Sequence, residues 1–145
     1  LTEFIEADAD HVRERLPEDA ASPEILILGL EGELFFGSSV SLEHHIERIE
    51  ERVSERTKVV LMRMKRARNP DAVGMSALDG LFERLRARGV HVLLCGVRPE
   101  MHKALKRCGL LEKLHRDHVF LEQPVRQTST QAAMRFARDL CVQAV

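Results

Sequence analysis

The chain has 145 residues, 44% of them hydrophobic, with 22 basic against 23 acidic side chains. That length accommodates one domain with a sizeable core, and the near-zero charge balance excludes an electrostatic nucleic-acid binder. With no Trp, no Tyr and six Phe, the composition also speaks against a platform of aromatic rings for stacking bases.

The chain opens on Leu1 rather than Met, which suggests a segment of a longer protein, although tag removal or processing gives the same start. Ile5, Ala9, Val12 and Leu16 recur at spacings of three and four, and predict a short helix over residues 1–16. Residues 17–24, Pro- and acid-rich, read as a linker. Ile25–Leu30 is an apolar run of the kind found in a covered sheet. Leu34-Phe35-Phe36 resumes it after Gly32 and predicts a hairpin or bulged strand around residues 31–33. Gly37-Ser38-Ser39 supplies capping hydroxyls for a helix running to about Arg56, with Leu42, Ile46, Ile49 and Val53 on one face.

Val59–Met62 predicts a central strand, followed by a polar loop at Asn69-Pro70-Asp71 and a helix starting near Gly74. Met75, Leu78, Phe82 and Leu85 form that helix's apolar face. Gly89 stops it and Val90–Cys95 is the next strand. Pro99 opens a further helix with Met101, Ala104, Leu105 and Cys108 inward, and Gly109 closes it. His118–Leu121 is a short last strand. Thr128-Ser129-Thr130 precedes a final helix with Ala132, Ala133, Phe136 and Leu140 inward. Strands alternating with helices in this way predict an α/β fold with parallel pairs, the early hairpin making the sheet mixed.

Catalytic equipment is sparse. Cys95, Cys108 and Cys141 are far apart with no C-x-x-C, which speaks against a disulfide framework or zinc site and for a reducing, cytosolic setting. All three are expected to be core residues. Cys95 ends a strand, where a nucleophile can stand, but no histidine base is placed beside it. His44-His45 diverge on a helix, and His115–His118 reads as a polar turn without a third metal ligand. No phosphate loop or dinucleotide fingerprint occurs. No catalytic residue and no metal ligand is assigned. Asp71 is expected to cap the helix or to act as a contact on a recognition loop. Arg63, Lys65, Arg66 and Arg68 lead into that loop. They are either solvated and paired, or a contact for an anion, a nucleotide phosphate or anionic lipid headgroups. No run approaches the roughly eighteen apolar residues of a membrane span.

Three segments in order carry a resemblance. Gly32-Glu33-Leu34-Phe35-Phe36-Gly37 resembles a G-x-L-F-F-(small) opening. Asp71-Ala72-Val73-Gly74-Met75 falls where the family has D-S-S/T-G-L after its central strand. Gly89-Val90 through Leu94-Cys95-Gly96-Val97 is similar to a G-(apolar)-x-(apolar)3-G segment. Together they resemble the STAS domain of SulP-type anion transporters and of bacterial anti-sigma-factor antagonists, over about residues 25–140. The antagonists carry a phosphorylatable serine as the second serine of D-S-S-G. Val73 stands there, after Ala72, and neither accepts phosphate; Ser76 lies in the helix. The missing phosphosite and the Phe pair favour the transporter-attached subgroup.

The resemblance implies a STAS-like fold over residues 25–143 after a segment at 1–24, with a central mixed four- to five-stranded sheet and flanking helices. It implies a non-enzymatic regulatory domain of a sulfate or related anion transporter, on the cytoplasmic face of the membrane. The implied partners are the transmembrane part of the same chain, a soluble protein or a second copy, with no cofactor beyond weak nucleotide binding. The interaction loop would comprise Asn69, Asp71, Ala72, Val73, Gly74 and Met75. The alternative is a free-standing antagonist-like signalling protein without phosphorylation control.

Overall fold

The apolar runs lie side by side in one sheet. The computed structural model describes residues 2–6, 12–17, 24–31, 39–66, 72–124 and 127–143. Six strands occur among them: β1 (Thr2–Glu6), β2 (Val12–Glu14), β3 (Ile25–Glu31), β4 (Val59–Arg66), β5 (His91–Val97) and β6 (Val119–Leu121). Five α-helices accompany them: α1 (Ser39–Arg52), α2 (Ala72–Ala87), α3 (Pro99–Arg107), α4 (Leu110–Leu114) and α5 (Thr128–Gln143). The spatial order is β2-β1-β3-β4-β5-β6. Strands β3 to β6 run parallel, while β1 is antiparallel to both of its neighbours. The fold is therefore the expected mixed α/β fold, with one strand more than anticipated.

Strand register sorts the core into two faces. Leu26, Val60 and Val92 lie abreast, as do Leu28, Met62 and Leu94. These even-numbered residues pack with Ile49, Leu78, Leu81, Leu85, Leu105 and Leu110 of helices α1 to α4. The odd-numbered set, Ile25, Ile27, Val59, Leu61, Leu93 and Cys95, packs with Ala133, Met134, Ala137 and Cys141 of α5. Successive side chains of a strand point to opposite faces. Covering both faces with helices therefore demands the unbroken apolar runs seen in the sequence.

Several expectations are corrected. Residues 1–16 hold no helix among the described positions. They carry the β1–β2 hairpin, with Phe4 opposite both Glu14 and Ile27. The three-and-four spacing of Ile5, Ala9, Val12 and Leu16 in the sequence imitated a helix, but Phe4 and Val12 join the α5 side of the sheet. Helix α1 ends at Arg52, not Arg56. There the Thr57 hydroxyl accepts a hydrogen bond from the Ser54 N–H at 3.0 Å, and Ser54 Oγ accepts one from the Arg56 N–H at 3.3 Å. Short hydroxyl side chains thus take backbone donors that a helix would otherwise use.

Strand β4 continues to Arg66, because Met64 is fully buried beyond Met62 and the alternation persists. Cys108, expected inward, is exposed. Gly109 adopts φ 76° and breaks the chain direction, so Leu110, Leu111 and Leu114 of α4 do the burying instead. On α5, Ala133 is buried as expected, while Ala132, Phe136 and Leu140 are half-buried and Met134, Ala137 and Cys141 complete the inner face. The hairpin expected around residues 31–33 and the Leu34–Phe36 run lie outside the described residues, apart from Glu31 at the end of β3.

Candidate functional site

Parallel strands deliver their following helices to one end of a sheet, and α/β proteins place binding surfaces there. In this chain that end carries the C-terminal residues of β3, β4 and β5 and the first turn of α2. Helix α2 begins at Ala72, two residues earlier than expected. Gly74 and Met75 turn into the core, while Ala72 and Val73 face solvent, Val73 at 61% exposure. Asn69 and Asp71, the remaining residues of the expected interaction loop, lie outside the described residues, as does Arg68.

The basic run divides between strand and loop. Arg63 is on β4, half-buried, with its guanidinium 4.5 Å from the centroid of the Phe4 ring. That contact ties β4 to β1 through cation–π attraction. Lys65 and Arg66 complete β4, with Arg66 in register with Glu31.

Next to this end, β5 is stitched to α5. Gly96 takes φ 64°, and its N–H donates to Ser129 Oγ at 2.9 Å. Cys95 Sγ lies 3.5 Å from Thr130 Oγ1. Burial pushes the Cys95 thiol up to about 11, against smaller lowering by the Thr130 hydrogen bond and the Arg63 charge. At neutral pH it is a protonated core thiol, not a nucleophile.

The histidines gather elsewhere. His91 starts β5 at the opposite end of the sheet, and its ring centroid lies 6.3 Å from that of His118. His115, at φ 72°, is 5.8 Å from His118, and His118 packs edge-on against Phe136 at 5.3 Å. Burial holds the His118 imidazole below its ordinary value, with the His115 and His91 charges acting in the same direction. Among the described residues no group of three or more His, Cys, Asp or Glu could hold a metal ion.

One surface feature escaped the sequence reading. Helices α1 and α2 flank an open groove of about 690 Å³. Its apolar lining comes from Ile46, Ala72, Val73 and Ala77, and its α1 side from Glu43, Glu47 and Glu50. The short side chains of Ala72, Ser76 and Ala77 keep the α2 side low. A Cβ on Gly80 would come within 3.2 Å of the Arg84 guanidinium, which lies along the helix to pair with Glu50. The signal was present in the sequence: Glu43 and Glu47 are four apart, as are Ala72, Ser76 and Gly80. Only the packing of α1 beside α2 makes a groove of them.

The chain has relatives among known proteins. The STAS domain family profile matches residues 17–132. Among curated proteins, the putative sulfate transporter YvdB of Bacillus subtilis (strain 168) is 26% identical over 98 residues, 68% of this chain and 18% of that protein. The chain likewise spans 18% of low affinity sulfate transporter 3 of Stylosanthes hamata, which is 27% identical over 115 residues covering 72% of this chain. Among solved structures, a sulfate transporter family protein from Wolinella succinogenes is 27% identical with TM-score 0.67, covering 86% of this chain and 93% of that one. The SulP transporter STAS domain from Vibrio cholerae shares the fold at 22% identity and TM-score 0.62, over 88% and 90% of the two chains.

Proposed function

The chain belongs to the STAS domain family, and from that premise we propose that it is the non-enzymatic regulatory domain of a SulP-type transporter of sulfate or a related inorganic anion. It stands on the cytoplasmic face of the membrane, attached to the transmembrane part of the same transporter, and offers one face for docking a partner. The observation that carries the reading is the likeness to the Wolinella succinogenes sulfate transporter family protein over nearly the full length of both chains. The docking face is the first turn of α2, where Val73 presents exposed apolar surface. Asn69 and Asp71 precede that turn in the chain, and Arg63, Lys65, Arg66 and Arg68 are its contacts for anionic groups. Ala72 and Val73 have no hydroxyl, so docking runs without a phosphoserine switch at those positions. A neutral, buried Cys95 supports a role without covalent chemistry. Among the described residues no helix is long and apolar enough to cross a membrane; in this reading transport itself belongs to other segments.

Fractionation of the source cells with an antibody against this domain tests the reading. A membrane-bound band well above 16.5 kDa supports it. A soluble band near that mass overturns it in favour of a free-standing signalling protein.

A further inference from the structure

We propose that the groove between α1 and α2 receives a basic amphipathic helix of a partner protein, an inference that rests on the reading of the start of α2 as a docking face. Two features of the groove specify this occupant. Its floor is apolar and includes Val73, whose 61% exposure leaves a branched aliphatic side chain in water. Its α1 rim is acidic and incompletely neutralised. Glu50 is held by Arg84, whereas Glu43 and Glu47 are exposed and have no ion-pair partner among the described residues.

The geometry matches a helix better than an extended strand. Two adjacent helices with small residues on the facing side leave a trough into which a third helix lays its apolar stripe. The short side chains of Ala72, Ser76 and Ala77 keep the α2 wall low, so the incoming backbone can approach closely there, while Arg84 lies over Gly80. Glu43 and Glu47 are one turn apart on α1 and both line the groove. Lys or Arg residues at i and i+4 of the occupant meet both, while its aliphatic residues cover Val73 and Ala77. The same acidic rim repels an anionic lipid surface, which favours a protein segment over a membrane as the occupant.

The test uses a synthetic peptide of about 18 residues, roughly 27 Å long as a helix, with Leu at helical spacing flanked by Lys. A second peptide carries Glu in place of each Lys. Binding to the intact chain is followed by fluorescence anisotropy, and backbone amide shifts locate it. The expected result is binding of the Lys peptide at least about ten-fold tighter than the Glu peptide, with shifts centred on Glu47, Val73 and Ala77. Glu43→Lys combined with Glu47→Lys weakens the Lys peptide about ten-fold, and so does NaCl near 1 M, where the screening length is about 3 Å. Both carboxylates are exposed, so the variant keeps its fold, and its unchanged melting temperature verifies this. Equal binding of the two peptides, shifts located elsewhere, or indifference to the double substitution overturns the proposal. Those outcomes leave the transporter reading standing. A soluble band near the domain's own mass removes the transporter reading and leaves the groove's charge preference intact.

Discussion

The side-chain amide of Gln127 forms a two-way hydrogen-bonded pair with the backbone of Val12, 115 residues away in the chain. Gln127 Oε1 accepts from the Val12 N–H at 3.0 Å, and Gln127 Nε2 donates to the Val12 carbonyl at 3.3 Å. A strand residue points its N–H and C=O to the same side, so the amide imitates a further strand laid against the free side of β2. Edge strands with unsatisfied backbone groups invite pairing with other chains. Here one side chain meets that demand at Val12 and ties the first hairpin to the start of α5.

Removing the amide should therefore cost more than a surface substitution does. Gln127 sits at φ 62°, so Gly is the clean replacement, free of left-handed backbone strain. Gln127→Gly is expected to destabilise by about 1–3 kcal/mol through loss of two part-buried hydrogen bonds. Urea denaturation measures the loss, and hydrogen exchange at the Val12 amide should accelerate well beyond the global change.

Two residues of α2 should respond in opposite ways. Leu78 is fully buried in the larger core cluster, and Leu78→Ala should cost about 2–5 kcal/mol. Val73 is largely exposed, and Val73→Ala should change stability by less than about 0.5 kcal/mol. Thermal melts of the two variants make the comparison directly.

Acid should loosen the β6 end of the sheet through His118. Its folded-state value is depressed below 6.5, chiefly by burial. The unfolded chain therefore binds the proton more readily than the folded one as pH falls through that range. The stabilising difference is present above about 6.5 and is lost as pH falls below it. Wild type should lose stability between about pH 7.5 and pH 5, and His118→Gln should flatten that part of the profile. Urea midpoints across the range report both slopes.

The three thiols should separate by reactivity. Cys108 is exposed, whereas Cys95 and Cys141 are buried. Burial raises the thiol of Cys141 above its ordinary value as it does that of Cys95. An aromatic disulfide reagent should label Cys108 quickly in the native protein and the other two only on unfolding. Cys108→Ser should abolish the fast phase.

At Gly109 the cost of a side chain should come from the backbone alone. The residue adopts φ 76°, and an added Cβ would meet nothing within 4 Å. Gly109→Ala should destabilise by about 1–2 kcal/mol, and Gly109→Asn by less, since Asn tolerates the left-handed region better. Paired melting curves distinguish strain from crowding.

The sequence disclosed most of the sheet because burial on both faces requires apolar runs, and Ile25–Leu30, Val59–Met62 and Val90–Cys95 are such runs. Helix faces were equally plain, as at Met75, Leu78, Phe82 and Leu85, all buried. The first hairpin was illegible because β2 is three residues long and shows no alternation of its own. Its stability comes from β1 and from Gln127, a partner far along the chain. The end of α3 at Gly109 was legible, but α4 was not, because five residues show too little periodicity, and Cys108 misled because it falls at a helical spacing from Ala104. At the site, the exposed start of α2 was legible in outline. The groove was not, because it is a relation between two helices whose side chains read separately as solvated surface.

The division of the sheet into two differently covered faces has a consequence for biosynthesis. Helices α1 to α4 shield the even-numbered face as they emerge between the strands. The odd-numbered face, with Ile27, Leu61 and Leu93, is packed by α5, the last helix in chain order. A nascent chain thus carries a finished apolar wall before its cover has left the ribosome. During that interval the wall is open to aggregation and to holding chaperones, and the emergence of residues 128–143 is the step that closes it.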